Sequence, residues 1–174
     1  MRDRKLLNIE LHRISPEQYR EKRDEGVVLV LDNVRSAYNI GSAFRTSDAF
    51  GVDRVYLCGI CACPPSPQIH KTALGAEDSV PWEYSESALD TVRELRRKGY
   101  TVASVEQTEH SLSLETFVRE EGRKYAFIFG NEVDGVGQEV VDASDFSLEI
   151  PQKGTKHSLN VSVSVGVVLW QIIK

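Results

Sequence analysis

Short apolar runs alternate with amphipathic stretches along most of this chain. Residues 27–31 form a continuous run of valine and leucine, which is typical of a strand covered on both faces. Similar runs predict further strands at residues 54–58, 100–105, 125–129 and 146–150. Because helical patterns separate these strands, the chain predicts an α/β fold with a mostly parallel sheet flanked by helices.

Capping residues locate the first two predicted helices. Ser15 is a favourable N-cap, with Pro16 at the first helical position and Gln18 as its capping-box partner. Asn39 is expected to cap a second helix over residues 40–50. Both helices therefore have a start that can be located in the sequence.

Prolines dominate the stretch that follows the second predicted strand. Residues 59–81 are predicted as a structured loop with one helical turn near residues 69–73. A third helix comes after this loop and ends at Gly99, and its inward face is formed by Ala88, Leu89, Val92 and Leu95.

The C-terminal segment is compatible with two structures. Residues 161–167 alternate with period two, and this local pattern favours a strand. As a helix, the segment would place Ser158, Ser162 and Gly166 in one stripe of small residues suited to close packing against a partner.

Length and composition indicate one globular domain. Of the 174 residues, 41% are hydrophobic and 27% are charged, which is ordinary for such a domain. We divide the chain into an N-terminal extension, residues 1–26, and a domain, residues 27–174. No apolar run approaches the ~20 residues of a membrane span, and the first residues lack the features of a secretory signal. We therefore expect a cytoplasmic protein with no membrane association.

The three cysteines lie close together, and this spacing raises the question of a metal site. They are Cys58, Cys61 and Cys63, with His70 beyond them. This set lacks the paired ligand spacing of structural zinc sites. We expect small packing residues and no metal.

The formal net charge of −5 argues mildly against a nucleic-acid partner, because phosphate binding depends on Lys and Arg. Local basic clusters nevertheless exist. Lys153 and Lys156 lie after a predicted strand, and Arg20, Lys22 and Arg23 lie in the extension. Composition alone leaves the partner open.

Polar and glycine residues follow the apolar strands in three segments. These are residues 33–46, 129–135 and 150–160. In open α/β sheets, ligands bind outside the carboxyl ends of the strands. Three such junctions in one small domain predict one composite pocket.

In order and in residues, the three segments resemble the motifs of the SpoU/TrmH-type RNA 2′-O-ribose methyltransferases of the SPOUT superfamily. The first motif lies between Asn33 and Gly51, the second is Gly130-Asn131-Glu132 with Gly135, and the third is Ile150-Pro151 with Ser158-Leu159-Asn160-Val161. The resemblance covers residues 27–174. It implies an S-adenosylmethionine-dependent enzyme that methylates a ribose 2′-hydroxyl of RNA, in tRNA or rRNA.

The resemblance also implies structural features beyond the parallel sheet. It implies a C-terminal trefoil knot that binds S-adenosylmethionine, and an active site completed across a homodimer. The last segment then becomes the final helix, with its small residues at the dimer interface. Ser47 and Ser164 depart from the family, where alanine is frequent at these positions.

By resemblance, Arg45 is the central catalytic residue. Methyl transfer to a hydroxyl is an in-line displacement, so alignment supplies much of the rate enhancement. A guanidinium is not deprotonated in proteins. We therefore expect Arg45 to stabilise the developing negative charge and to contact RNA phosphate. The alternative role is a surface ion pair with Asp48.

Four more residues complete the predicted catalytic set. Asn33 is expected to hold Arg45 or the ribose, or else to form a turn. Glu132 is expected to orient Asn33, Arg45 or the RNA, or else to interact with a helix dipole. Ser158 and Asn160 belong to the third motif, and helix capping is their alternative role.

The cofactor should be held largely by the backbone at the three strand ends. By resemblance, the residues that bind S-adenosylmethionine are Val105, Glu106, Gly130, Asn131, Ile150 and Leu159. Lys153 and Lys156 border this predicted pocket and, together with Arg45, are the expected RNA contacts.

Two other functions remain open from the sequence. A catalytically idle RNA-binding or assembly factor on the same fold would be free to lose the predicted catalytic residues, yet all of them are present. A nucleotide-binding α/β enzyme would need a Gly-x-Gly-x-x-Gly or Walker loop after the first strand, and neither follows it.

Overall fold

The structure is a computed structural model that describes residues 3–22 and 26–173. Its strands are β1 (Val27–Asp32), β2 (Arg54–Cys58), β3 (Trp82–Ser85), β4 (Thr101–Val105), β5 (Leu112–Ser113), β6 (Tyr125–Phe129) and β7 (Phe146–Glu149). Its α-helices are α1 (Pro16–Lys22), α2 (Ala37–Phe50), α3 (Pro67–Ala73), α4 (Ala76–Ser79), α5 (Ala88–Arg97), α6 (Gln138–Ala143) and α7 (Val161–Ile172). A short 3-10 helix spans Asn8–Leu11. Across these described ranges, no helix is long and apolar enough to cross a lipid bilayer.

The strands form one sheet in the order β3-β2-β1-β6-β4-β7-β5, and every pair of neighbours is parallel. The predicted parallel sheet is therefore confirmed, and its five predicted strands agree with the observed ones to within one residue at each end. The two strands that were not predicted, β3 and β5, lie at the edges of the sheet. Parallel pairing places the carboxyl ends of all these strands along one edge.

Successive residues of β1 point into two separate hydrophobic layers. Val27, Leu29 and Leu31 pack in the layer that contains α2, α3 and α7. Val28 and Val30 pack in the layer that contains α5 and α6. Burial on both faces requires apolar residues at every position, which explains the uninterrupted apolar run.

The capping predictions were right for α1 and wrong for α2. Ser15 Oγ accepts from Gln18 N at 3.3 Å, and Gln18 Oε1 accepts from Ser15 N at 2.9 Å, so the capping box is formed. Helix α2 begins earlier than predicted, because Ser36 is its N-cap and accepts from Asn39 N at 3.3 Å. The Asn39 side chain is thus available for other contacts.

The stretch predicted as a loop contains two helices, α3 and α4. Pro67 stands in the first turn of α3, where its missing N–H costs nothing, and Ser66 caps that helix. Helix α3 packs closely on α2, since a Cβ at Gly41 would lie 2.3 Å from the carbonyl oxygen of Ile69. Glycine at position 41 therefore permits the two helix backbones to approach.

The C-terminal segment is helix α7, so the strand favoured by its local pattern is wrong. Helices α2 and α7 run side by side in the same direction. Asn39 contacts Asn160 near their amino ends, and Phe50 makes an edge-to-face contact with Trp170 near their carboxyl ends. A Cβ at Gly166 would meet Thr46 of α2 at 4.0 Å, so this small residue faces α2 within the chain. The trefoil knot remains a prediction.

The described part of the N-terminal extension is attached to the domain through α1. Tyr19 is buried, and its hydroxyl donates to the carbonyl oxygens of Ser47 and Val52. Arg20 donates to the carbonyl oxygen of Asp78 at 2.6 Å. Arg23, part of the basic cluster predicted here, lies outside the described residues.

Candidate functional site

A cavity of about 510 Å³ opens at the carboxyl ends of β4, β6 and β7. This volume is typical of small-molecule sites. All six predicted cofactor-binding residues line it: Val105, Glu106, Gly130, Asn131, Ile150 and Leu159. Three predicted catalytic residues also line it, namely Glu132, Ser158 and Asn160.

The walls of this cavity are acidic. Its lining includes the acidic residues Glu106, Glu132, Asp134 and Glu149, and no Lys or Arg belongs to the lining within the described residues. Like charges in a concave site reinforce one another's potential. The cavity therefore favours a ligand with positive charge and disfavours a polyphosphate.

The turn after β6 is held by its own side chains and glycines. Asn131 Oδ1 accepts from the amides of Val133 and Asp134, both at 2.9 Å. Gly135 adopts a left-handed conformation with φ of 69°, and a Cβ at Gly130 would lie 1.9 Å from the carbonyl carbon of Gly135. Glycine at both positions lets the turn fold tightly.

Glu106 and Gln107 connect the end of β4 to the other two walls. Glu106 Oε2 accepts from the amide of Val136 at 3.1 Å. Gln107 Nε2 donates to the carbonyl oxygen of His157 at 2.7 Å. Sequence reasoning missed Gln107, which carries no pattern of its own and is found only as the neighbour of the predicted residue Glu106.

The side chain of Glu132 binds the amino end of α2, although the two are more than 90 residues apart in the sequence. Its Oε2 accepts from Arg35 N at 3.1 Å, and its Oε1 accepts from Ser36 N at 3.3 Å and from Asn39 Nδ2 at 2.9 Å. Burial opposes ionisation of this carboxyl, but the hydrogen bonds outweigh that effect and lower the pKa of Glu132. The carboxylate thus satisfies amides that the helix start leaves unpaired.

Asn39 continues this network to the third segment. Asn160 Nδ2 donates to Asn39 Oδ1 at 3.2 Å. Asn160 is also the N-cap of α7, with Oδ1 accepting from Ser162 N at 2.9 Å. Helix capping was considered for both Ser158 and Asn160, and Asn160 is the residue that performs it. The first segment does not line the cavity; it adjoins the cavity through Asn39, which the sequence interpretation had assigned only as a cap.

Asn33 lies outside the cavity lining, in a turn after β1. It has a left-handed φ of 54°, its Nδ2 donates to Asp32 Oδ1 at 2.8 Å, and its Oδ1 accepts from Ile60 N at 3.2 Å. Asp32 is buried, and its Oδ2 accepts from the amide of Gly137 at 3.2 Å. The two side chains therefore join the end of β1 to the loop before α6.

The cations predicted to contact RNA are exposed and lie outside the cavity lining. Arg45 projects from α2, and within the described ranges it forms no ion pair, including the one considered with Asp48. Lys153 and Lys156 lie in the loop before α7, beside Gln152 and His157, which do line the cavity.

Two of the three cysteines are buried packing residues. Burial raises the pKa of Cys58 to about 12 and that of Cys61 to about 11. The Cys61 thiol donates to the carbonyl oxygen of Leu31 at 3.3 Å. Thiols in such surroundings remain protonated and unreactive at neutral pH.

Comparison with known proteins gives a family match and several relatives. The model of the SpoU rRNA methylase family matches residues 26–170. The chain is 34% identical over 155 residues to the 23S rRNA (guanosine-2′-O-)-methyltransferase RlmB of Nitrosomonas europaea, covering 87% of this chain and 57% of the relative. The chain thus spans somewhat more than half the length of that relative.

Solved structures show the same fold. A TrmH/SpoU tRNA-modifying enzyme of A. aeolicus superposes with a TM-score of 0.78 at 25% identity, covering 90% of this chain and 79% of that chain. An AdoMet-bound rRNA methyltransferase of Sinorhizobium meliloti superposes with a TM-score of 0.78 at 27% identity, covering 91% of this chain and 60% of that chain.

Proposed function

This chain belongs to the SpoU rRNA methylase family, and we propose that it transfers a methyl group from S-adenosylmethionine to a ribose 2′-hydroxyl of tRNA or rRNA. The observation that carries this proposal is the acidic cavity at the ends of β4, β6 and β7, built by the second and third motif segments. The relatives named for 2′-O-methylation and for a bound AdoMet support the same reaction. Residues 27–174 would form the methyltransferase domain, in the cytoplasm.

The size and the charge of the cavity suit S-adenosylmethionine. Its apolar lining includes Val105, Leu148, Ile150 and Leu159, beside backbone groups of the turn after β6. The cofactor carries a sulfonium, an ammonium and one carboxylate, so its net charge is positive, and the acidic residues of the lining complement that net charge. When bound, it would supply an electrophilic methyl group. The same carboxylates disfavour NAD or a nucleoside triphosphate, so the nucleotide-enzyme alternative loses support.

The residues of this chain would act by positioning and by charge. The Glu132–Asn39–Asn160 network fixes the start of α2 against two walls of the cavity. Arg45, lying on the same helix, would stabilise negative charge on the ribose oxygen without removing its proton. No metal is needed for such a displacement.

A homodimer would bring Arg45 to a cavity. Its side chain is exposed on α2 and does not line the cavity of its own chain. On the adjacent helix α7, Val163, Val167 and Trp170 are 50%, 38% and 65% exposed, an apolar stripe that a second copy would bury. Arg45 of one copy would then complete the cavity of the other. Sedimentation at micromolar concentration tests this step, and a monomer would contradict it.

The decisive experiment is a methyl-transfer assay on fractionated tRNA and rRNA, followed by nucleoside analysis. We expect a 2′-O-methylated nucleoside from one fraction. Calorimetry should detect binding of S-adenosylmethionine and its demethylated product but not of NAD. RNA binding without methyl transfer to any fraction would favour the alternative, a catalytically idle RNA-binding or assembly factor. If calorimetry detects no heat of binding with S-adenosylmethionine and none with its demethylated product, the proposal is refuted.

A further inference from the structure

An exposed aromatic ring stands beside the cavity, in the first turn of α2. Tyr38 is 46% exposed, so about half of its surface is free for another contact. The next residue, Asn39, contacts Glu132 and Asn160, which both line the cavity. The ammonium of Lys71 lies 5.8 Å from the centroid of the Tyr38 ring.

Helix α3 holds this aromatic–cation pair in place. Thr72 Oγ1 donates to the carbonyl oxygen of Tyr38 at 2.9 Å. The backbones of α2 and α3 are also in close contact at Gly41. The backbones that carry Tyr38 and Lys71 are therefore fixed relative to each other. A rigid ring loses little conformational entropy when a partner stacks on it.

Arg35 is a second cation near the start of α2, three residues before Tyr38. Its backbone amide is bound by Glu132, while its side chain is exposed and forms no ion pair within the part of the chain that the structure describes. We call Arg35, Tyr38 and Lys71 the α2 platform. Along the helix, Arg45 follows Tyr38 by seven residues, so both lie on one face, separated by about 10 Å.

We propose that the α2 platform binds the RNA strand next to the target nucleotide, with a base stacked on Tyr38 and phosphates held by Arg35 and Lys71. This inference rests on the proposed function. Phosphates are repelled by the carboxylates of the cavity, so the RNA backbone must be held outside it, and the platform supplies positive charge there. Single-stranded RNA is commonly bound by stacking of its bases on aromatic side chains beside such cations.

Substitutions of Tyr38 separate stacking from a purely structural role. The probe is unmodified tRNA transcribed in vitro, or rRNA fragments if only rRNA is methylated, and the readout is the Kd at fixed salt. We expect Tyr38→Ala to weaken binding about tenfold or more, and Tyr38→Phe to stay within about twofold of the wild type. Tyr84→Ala is the matched control, because Tyr84 is 48% exposed but lies on the edge strand β3.

The lysine has a matched control of its own. The ammonium of Lys124 lies 5.8 Å from the centroid of the Tyr100 ring, the same distance as in the Lys71–Tyr38 pair, but at the amino ends of β4 and β6 and so at the opposite end of the strands from the cavity. We expect Lys71→Gln to reduce the salt dependence of RNA binding by about one phosphate, and Lys124→Gln to leave it unchanged. Calorimetric binding of S-adenosylmethionine should be the same in all these variants, and the melting temperature of each variant reports any loss of stability.

The results distinguish this inference from the proposed function. A wild type that methylates RNA, with Tyr38→Ala binding RNA equally well, would overturn the platform alone. Weaker RNA binding that tracks a lower melting temperature, and is not restored by Tyr38→Phe, would also overturn it. A wild type that binds RNA through Tyr38 but transfers no methyl group would support the platform and refute the enzymatic proposal. No RNA binding by the wild type would refute both.

Discussion

Replacing Glu132 by Gln should loosen the start of α2. The carboxylate accepts three hydrogen bonds, with Oε1 bound to Ser36 N and Asn39 Nδ2 and Oε2 bound to Arg35 N. A Gln side chain can keep its carbonyl oxygen in the place of Oε1. Its NH₂ group then replaces Oε2 and faces the backbone N–H of Arg35, so that two donors meet. Asn39 cannot adapt by turning over its amide, because its Oδ1 already accepts from Asn160.

The expected cost follows from the loss of a cap and of a charge. Loss of an N-cap-type hydrogen bond costs about 1 kcal/mol, and loss of a negative charge at a helix amino end adds about 0.3–1 kcal/mol. Glu132 is exposed, so solvent screening keeps the charge contribution near the lower value. We expect the free energy of unfolding to fall by about 1–2 kcal/mol and the melting temperature by about 2–8 °C.

The pH dependence gives the sharpest measurement. Because the folded state lowers the pKa of Glu132 below its usual 4.5, its stabilisation is present above that pH and is lost as the pH falls through the folded value. Urea unfolding of wild type and Glu132→Gln should therefore differ at neutral pH and converge in acid. Asp134→Asn, in the same turn and with no side-chain hydrogen bond within the described residues, is the control for charge alone. Equal stability of wild type and Glu132→Gln at pH 7 would refute the reasoning.

Three further substitutions test other parts of the site. Arg45→Ala should lower turnover on the order of 10²–10³-fold, with little change in cofactor affinity measured by calorimetry. Arg45→Lys should retain only part of the activity. Near-normal turnover of Arg45→Ala would contradict the assigned role. Gly41→Ala should lower the free energy of unfolding by about 1–3 kcal/mol in urea titrations, since its Cβ would meet the α3 backbone, whereas Gly154→Ala, which faces open space, should be neutral. Replacing Lys153 and Lys156 together by Ala should flatten the salt dependence of RNA binding by about two phosphates and leave S-adenosylmethionine binding intact; an unchanged slope would place the RNA elsewhere.

The strands were predictable because their cause is local. A parallel strand with both faces covered needs an apolar residue at each position, and β1 and β6 are buried throughout. The edge strand β3 escaped prediction because Glu83 and Tyr84 are exposed there and the apolar run is missing. Strand β5 has two residues and carries no pattern at all.

The errors arose where distant contacts decide the structure. The valines of α7 alternate as in a strand, but Val161, Val165 and Val168 are buried together only in a helix that lies along α2. Asn39 looked like a cap because its real partners, Glu132 and Asn160, lie 93 and 121 residues away in sequence. A single sequence contains no signal for such pairs beyond the motif residues themselves.

The net charge of the chain does not oppose the RNA partner that we propose, and the structure gives the physical reason. Interactions between exposed charges are screened beyond about 8–10 Å at ordinary salt, so an RNA strand responds to the local distribution of charge and not to the sum of −5. Acidic residues such as Glu106 and Glu149 line the cavity, whereas Arg35 and Lys71 lie outside its lining, at the start of α2 and on the adjacent helix α3. This separation would place a cationic cofactor and an anionic RNA side by side on one small acidic domain. Each would meet the opposite charge at the point where it binds.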